Sequence, residues 1–165
     1  MGQSEGRGFL LHIRKATIAD APASFAIRRE AILAQCRGSY SERDLDIWTS
    51  GQMSEAFAQR VADDFYIAEV DGRIVGTGMI DLASGKIDAI FVLPNQMGRG
   101  VGHALMDHLE HLALGAGLES IHLDSTLNAA PFYRRLGFAG DQLSTYRSTL
   151  GVTLTCIPMV KHLIR

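Results

Sequence analysis

Apolar residues change their period from segment to segment along the chain, and the changes mark out a succession of elements. LLHIRKA over residues 10–16 alternates well enough for a strand. Thr17 and Asp20 then set a helix start before APASFAIRREAILAQ, because short oxygen-bearing side chains satisfy the free N–H groups of a first turn. SERD, from Ser41 to Asp44, is a capping box with Asp in place of Glu. It leads into a helix or helix pair broken near Gly51 and ending about Ala62. FYIAEV and RIVGTGMI read as strands joined by Asp71-Gly72, a dipeptide that accepts the positive φ of a tight hairpin. Ser84-Gly85 repeats the device and leads to KIDAIFVL, a strand closed by Pro94. Val101, Leu105, Leu109, Leu112 and Ala116 fall at helical spacing, with Gly115 and Gly117 marking the end. LESIHLD is a strand, and NAAPFYRRLGF a short helix with Pro131 in its first turn and Gly137 just past its end. Two strands, at about residues 138–147 and 152–161, close the chain. The elements predict one α/β domain with a mixed sheet flanked by helices.

Composition narrows what such a domain does. The 165 residues, 47% of them hydrophobic, suit one core; residues 1–8 read as a flexible tail and 9–165 as the domain. A formal net charge of -2 gives no basic field for nucleic acid or an anionic membrane, which favours small-molecule or protein partners. Cys36 and Cys156 stand far apart, outside any CxxC or Cys/His pairing, so neither a disulfide scaffold nor a zinc site is expected. No apolar stretch reaches the roughly 18 residues of a membrane span. MGQSEGRG lacks the apolar core of a signal peptide, and position 6 is Gly where a myristoylated start has Ser or Thr. A cytoplasmic protein is the expectation.

LPNQMGRGVGHAL, residues 93–105, places Gly98, Gly100 and Gly102 between a strand and a helix. A turn dense in uncovered N–H groups running into a helix N-terminus is an anion site, because unpaired donors and helix dipole point outward together. Phosphate is the expected ligand. A dinucleotide fingerprint starting at Gly98 needs a glycine at 103, where this chain has His103, and the Gly-Lys-Ser/Thr of a Walker A loop is absent.

FVLPNQMGRGVGHALM is similar to the V-x-P followed by Q/R-x-x-G-x-G/A of the GNAT acyltransferase superfamily. It departs at the Gln/Arg position, which is Met97, with Gln96 one residue early. NAAPFYRRLGF resembles the family's helix ending in Y-x-x-x-G-F, and YSERDLDIW resembles a subgroup with a Tyr-Ser start and a Trp in the second helix. The likeness covers nearly all of residues 10–162. It implies a single-domain α/β/α layered fold with a mixed, mostly antiparallel sheet. It also implies acetyl-CoA as co-substrate without a metal, and direct transfer of acetyl to a primary amine of a small molecule or protein in a ternary complex. In the family the glycine loop binds the CoA pyrophosphate through main-chain N–H groups, here Gly98, Arg99, Gly100, Val101, Gly102 and His103. Main-chain groups of the preceding strand, here Ile90, Phe91 and Val92, pair with the pantetheine arm. Seven residues before Tyr133, where the family often has a CoA-contacting Asn, stands Thr126, and Asn128 comes two residues later. Tyr133 matches the position that contacts CoA and often protonates the departing sulfur. The family often dimerises, which leaves a homodimer open.

Acyl transfer from a thioester to an amine needs a neutral nucleophile, an oxyanion donor and a proton for the leaving thiolate. Asp88 is the first candidate for the base. Strict alternation puts it on the face opposite Ile87, Ala89 and Phe91, in a partly apolar cleft where a carboxylate pKa rises, by up to about 3 to 5 units on full burial. Glu69, Asp81 and Asp124 are rivals; the first two read as solvated strand residues and Asp124 as a cap. Trp48, Tyr40 and Tyr146 are candidates to line the acceptor pocket, with Arg147 beside them. His103, His108 and His111 read as a wet helix face, and Cys156 as a small buried hydrophobe. The competing class is an acyl-CoA-binding sensor or scaffold of the same fold without turnover, against which Tyr133 favours an enzyme.

Overall fold

Asp71 and Gly72 adopt φ of 52° and 78°, the two positive values with which a short hairpin matches the twist of its strands. They join β2 (Phe65–Val70) to β3 (Arg73–Asp81), and the turn containing Gly85 joins β3 to β4 (Lys86–Val92). β1 (Leu11–Lys15) pairs antiparallel with β2. With β5 (Ser120–Ser125), β6 (Ser144–Arg147) and β7 (Thr153–His162) the sheet has the order β1-β2-β3-β4-β5-β7-β6. Every neighbouring pair is antiparallel except β4 with β5. The computed structural model describes residues 10–148 and 150–164; the tail expected over residues 1–8 lies outside them.

Helices cover both faces, giving the expected α/β/α layers. α1 (Ala21–Gln35), α2 (Glu42–Trp48) and α3 (Glu55–Asp64) lie on one face; α4 (Val101–Gly115) and α5 (Ala130–Arg135) lie on the other. The second helical segment is a pair. Ser41 Oγ accepts the Asp44 N–H at 3.0 Å, the chain breaks at Gly51 with φ 87°, and Ser54 Oγ restarts the helix by accepting the Phe57 N–H at 3.1 Å. α4 sits unusually close to β3. A Cβ on Gly76 would meet Val101 Cγ1 at 3.0 Å and the Phe91 carbonyl at 3.1 Å, so glycine is what lets Val101 and Leu105 seat against the strand. Among the described residues no helix is long and apolar enough to cross a membrane.

The stretch expected as one strand over residues 138–147 is split. Ala139 makes an isolated bridge to Val160, and regular pairing resumes only at Ser144↔Cys156. Pro158 lies between those two β7 positions. It has no N–H to give, and the ladder lapses across from it.

One polar cluster pins the chain's entry into α1. Arg14 donates to both carboxylate oxygens of Asp20, at 2.8 and 2.9 Å, and to Glu69 at 2.6 Å, while Thr17 N–H donates to Asp20 Oδ2 at 2.7 Å. The Arg14 fork holds the Asp20 carboxyl down to about 2 against the opposing effect of burial, with Thr17 assisting. A carboxyl depressed from 3.8 stabilises the fold fully above pH 4, and that stability is lost as pH falls through about 2. Asp20→Asn should therefore cost about 1–2 kcal/mol at pH 7. In urea titrations of both proteins the difference should shrink steadily between pH 4 and pH 2; a difference that is constant with pH would show that the pair adds nothing.

Candidate active site

β4 and β5 share a single register pair, Lys86↔His122, where the His122 N–H donates to the Gly85 carbonyl at 3.0 Å. Beyond it β4 pairs only with β3, and β5 only with β7. The sheet opens there as a wedge, and a cavity of about 130 Å3 occupies it. α1 and α2 wall the cavity on one side, β4 and β5 form its flanks, and the β5–α5 connection, α5, β6 and β7 complete it.

A bulge on β4 decides which side chains face this cavity. Ile80 pairs with Ile87 and Gly78 with Ile90, so Asp88 and Ala89 together stand against Met79 alone. One extra residue shifts the alternation by one. Ile87, Ile90 and Val92 all reach the α4 face, whereas Phe91 packs with Ile32 and Trp48 on the α1 face. Strict alternation placed Phe91 opposite Asp88; the bulge brings both to the cavity, and Asp88 stands exposed instead of enclosed by apolar neighbours.

The same shift sorts the main chain. Leu93 N–H bonds to Val75 on β3, and alternation sends the amide and carbonyl of Phe91 to that side as well. Ile90 and Val92 turn theirs toward the wedge. The Val92 carbonyl accepts from the Gln35 amide at 3.3 Å, and the Ile90 main chain faces the Tyr133 hydroxyl. Phe91 thus offers its ring, while Ile90 and Val92 offer main chain.

Tyr133 is 6% exposed and borders the cavity between Phe132 and Phe138, whose rings it meets edge-on at 5.2 and 5.8 Å. Burial pushes its phenol up to about 12, the Ile90 main chain partly offsetting this. It is therefore a phenol throughout the neutral range. Asn128 and Thr126 also line the cavity and face the Cys36 thiol, which burial pushes up to about 11 against their opposing hydrogen bonds. The Asn128 Oδ1 is buried and makes no hydrogen bond within the protein. Cys156 is buried in the cavity wall, as expected.

Beyond the cavity, the three glycines do two different jobs. Gly98 and Gly100 take φ of 77° and 84° with open space where a Cβ would project. Gly102 is already helical, and a Cβ there would meet Phe132 at 2.9 Å, so its missing side chain serves α4–α5 packing. No side chain caps α4 and its first turn carries no acidic residue, which leaves the Val101, Gly102 and His103 amides as outward donors. Arg99 lies in the turn itself. Met97, at the departure from the family pattern, is exposed, and its sulfur accepts from Gln35.

Trp48, Tyr40 and Tyr146 all reach the cavity, whereas Arg147 is not among the residues that line it. Trp48 is 7% exposed and meets Tyr40 edge-on at 6.2 Å. The Tyr40 hydroxyl is already spent: it donates to the Thr155 carbonyl at 2.6 Å and accepts from Leu127 N–H at 3.1 Å, tying the β5–α5 connection to β7. Of the rival carboxylates, Glu69 is paired with Arg14, and Asp81 accepts Ala83 N–H in its own turn at 2.9 Å. Asp124 lines the cavity but holds Lys86 at 2.8 Å and caps nothing. His108 packs on Tyr66 and the His111 Nδ1–H donates to the Asp107 carbonyl at 2.7 Å; among the described residues no three metal-ligating side chains converge. The residue that sequence reasoning missed is Arg28, on α1, whose guanidinium lies over the Trp48 ring at 5.9 Å inside the cavity. Its signal was faint, one arginine of an Arg-Arg-Glu run on an amphipathic helix.

The layered sheet with its single parallel junction and glycine-led helix has the form that the sequence resemblance implies. The chain belongs to the GNAT family: residues 36–163 match the acetyltransferase (GNAT) domain. A GCN5-related N-acetyltransferase from Rhodopseudomonas palustris superposes with a TM-score of 0.86 at 32% identity, over 92% of this chain and 95% of that one. The PaiA N-acetyltransferase from Thermoplasma acidophilum, solved with coenzyme A, shares the fold with a TM-score of 0.75 at 20% identity, over 93% and 99% of the two chains. An uncharacterized N-acetyltransferase of Methanocaldococcus jannaschii is 36% identical over 85 residues, covering 48% of this chain and 54% of its own length. The chain spans about half the length of the curated relatives it matches.

Tyr40→Phe should keep the ring against Trp48 and strand the Leu127 N–H. The expected loss is about 1–3 kcal/mol of unfolding free energy, read by urea denaturation. A variant as stable as the parent would mean that solvent replaces both bonds.

Proposed function

We propose that the protein transfers acetyl from acetyl-CoA to a primary amine by direct attack in a ternary complex. The family supports the reaction class, and the neighbours solved with coenzyme A or acetyl-CoA support the co-substrate. The amides of residues 98–103 would receive the pyrophosphate at the start of α4. The pantetheine arm would run along β4, using the main chain of Ile90 and Val92, with the buried Asn128 oxygen as a partner for one of its amides. That placement brings the thioester to the wedge, beside Tyr133.

There the amine nitrogen bonds to the thioester carbon, and a main-chain N–H of β4 stabilises the oxygen as it gains charge. The C–S bond then breaks. Tyr133 gives its proton to the departing sulfur and regains one from solvent. Asp88, exposed at the acceptor side, takes the proton that the amine must lose. The observation that carries the reading is the buried, protonated Tyr133 hydroxyl facing the Ile90 main chain within the wedge. A phenol with that environment is a donor at neutral pH and no base.

Tyr133→Phe separates an enzyme from a non-catalytic acyl-CoA binder. A general acid contributes typically ~10² to 10⁴ in rate, whereas a lost buried hydrogen bond costs about 1 kcal/mol of stability. The variant should keep its melting temperature within a few degrees and its CoA affinity, and lose most of its turnover on any accepted amine, with thiol release as the readout. Acetylation at the parental rate, where chemistry is rate-limiting, would remove Tyr133 as the acid.

A further inference from the structure

Arg28 has no partner that explains its position. Its guanidinium rests on the Trp48 ring, it makes no hydrogen bond to any described residue, and no described carboxylate lies within 4.0 Å of it. Burial pushes it below the usual arginine range, with Tyr146 and then Asp88 opposing. A withdrawn cation with a free fork is costly unless something negative completes it. Cation–π contact alone returns roughly 0.5–2 kcal/mol and leaves the N–H donors unused.

Position separates this cation from the CoA end of the site. Gln35 reaches the Val92 carbonyl, and Arg28 lies seven residues earlier on α1, about 10 Å back along the helix axis. Asp88 lies four residues before Val92, about 13 Å back along the strand. Arg28 and Asp88 are thus neighbours at the far end of β4 from the glycine turn, each within electrostatic reach of Tyr146. They do not pair with each other, so a gap with a cation on one side and an anion on the other is left open in the cavity. The second lining cation, Lys86, is already held by Asp124. One free fork matches a single carboxylate; a dianionic phosphate calls for more than one cation.

We propose that the acceptor is a small amino-carboxylate, with Arg28 binding its carboxylate in a fork, Asp88 its ammonium, and Tyr146 donating a hydroxyl to the carboxylate. This rests on the acyl-transfer reading, because it assigns the acceptor half of that cavity. An α-amino acid carries both charges on substituents of one carbon, a cation and an anion to set against Asp88 and Arg28. The carboxylate is thereby held on the Trp48 side, where Arg28 lies, and the amine on the β4 side, where Asp88 lies.

Binding tests this without requiring turnover. The probes are N-acetylated alanine, leucine, phenylalanine and glutamate, each beside its α-carboxamide, titrated calorimetrically into the CoA-loaded protein. At least one carboxylate should bind roughly tenfold or more tightly than its amide, since hydrogen bonds to a charged group are the strong ones. Arg28→Met, which keeps a stem over Trp48, should bring the pair to near equality and leave CoA affinity unchanged; Arg28→Lys, with charge and no fork, should also lose discrimination. No preference in the parent, or a preference that survives in both variants, overturns the proposal. A parent that prefers O-phosphoethanolamine over β-alanine overturns the carboxylate assignment. Failure of the acyl-transfer reading is distinct: carboxylates would still be preferred in binding, and no amine would be acetylated.

Discussion

Two neighbouring strands of this sheet stop pairing after one residue, and the site exists because they do. Lys86↔His122 closes the junction, after which β4 stays with β3 and β5 turns to β7. Main-chain groups cannot be left unpaired inside a protein without cost. β4 therefore presents amide and carbonyl groups that need a partner, and the partners it finds within the chain are the Gln35 amide and the Tyr133 hydroxyl. The parallel arrangement matters too. An antiparallel neighbour would have continued the ladder from a short hairpin, whereas β4 and β5 are joined through α4, which is free to hold them apart.

The helices convert that opening into a directional site. α4 starts where β4 ends, so the donors of its first turn stand at one end of the wedge. α1 runs beside β4, with Gln35 near that end and Arg28 near the other. Negative charge is thus favoured at both ends for different reasons: uncapped amides at the α4 start, a guanidinium at the other. Between them the walls are apolar or hydrogen-bonded, with Phe91 and Leu154 on one side and Tyr133 on the other. Tyr40 braces the structure by tying the β5–α5 connection to β7, which keeps β5 from closing toward β4.

Legibility in the sequence followed the range of the interactions. Asp71-Gly72, the Ser41 cap, the break at Gly51 and the glycine turn are local chemistry, and each formed where its residues indicated; the Ser54 cap that restarts the helix belongs to the structure alone. Gly102 belongs to the glycine pattern of an anion site, yet the space left by its missing side chain is taken by Phe132, thirty positions away in sequence, which spacing alone cannot reveal. The β4 bulge was invisible for the same reason: KIDAIFV alternates acceptably, and only pairing with β3 shows that Asp88 and Ala89 share one partner. That shift carried Phe91 to the other face. Pro158 divided the last hairpin by facing a strand that needed its N–H. Arg28 emerged only when α1 was seen to lie against Trp48, since nothing local distinguishes it from Arg29.

The most direct test follows backbone amides by NMR while CoA is added to the isotope-labelled protein. Ligand seated along the open edge of β4 should shift the amides of Ile90, Val92 and residues 98–103 together. Phe91, whose amide bonds to β3, and the β1–β2 hairpin should move little. If the shifts instead gather on β1 and β2 or on the outer face of α3, with β4 and the start of α4 unmoved, then the wedge does not hold the co-substrate and the functional reading fails.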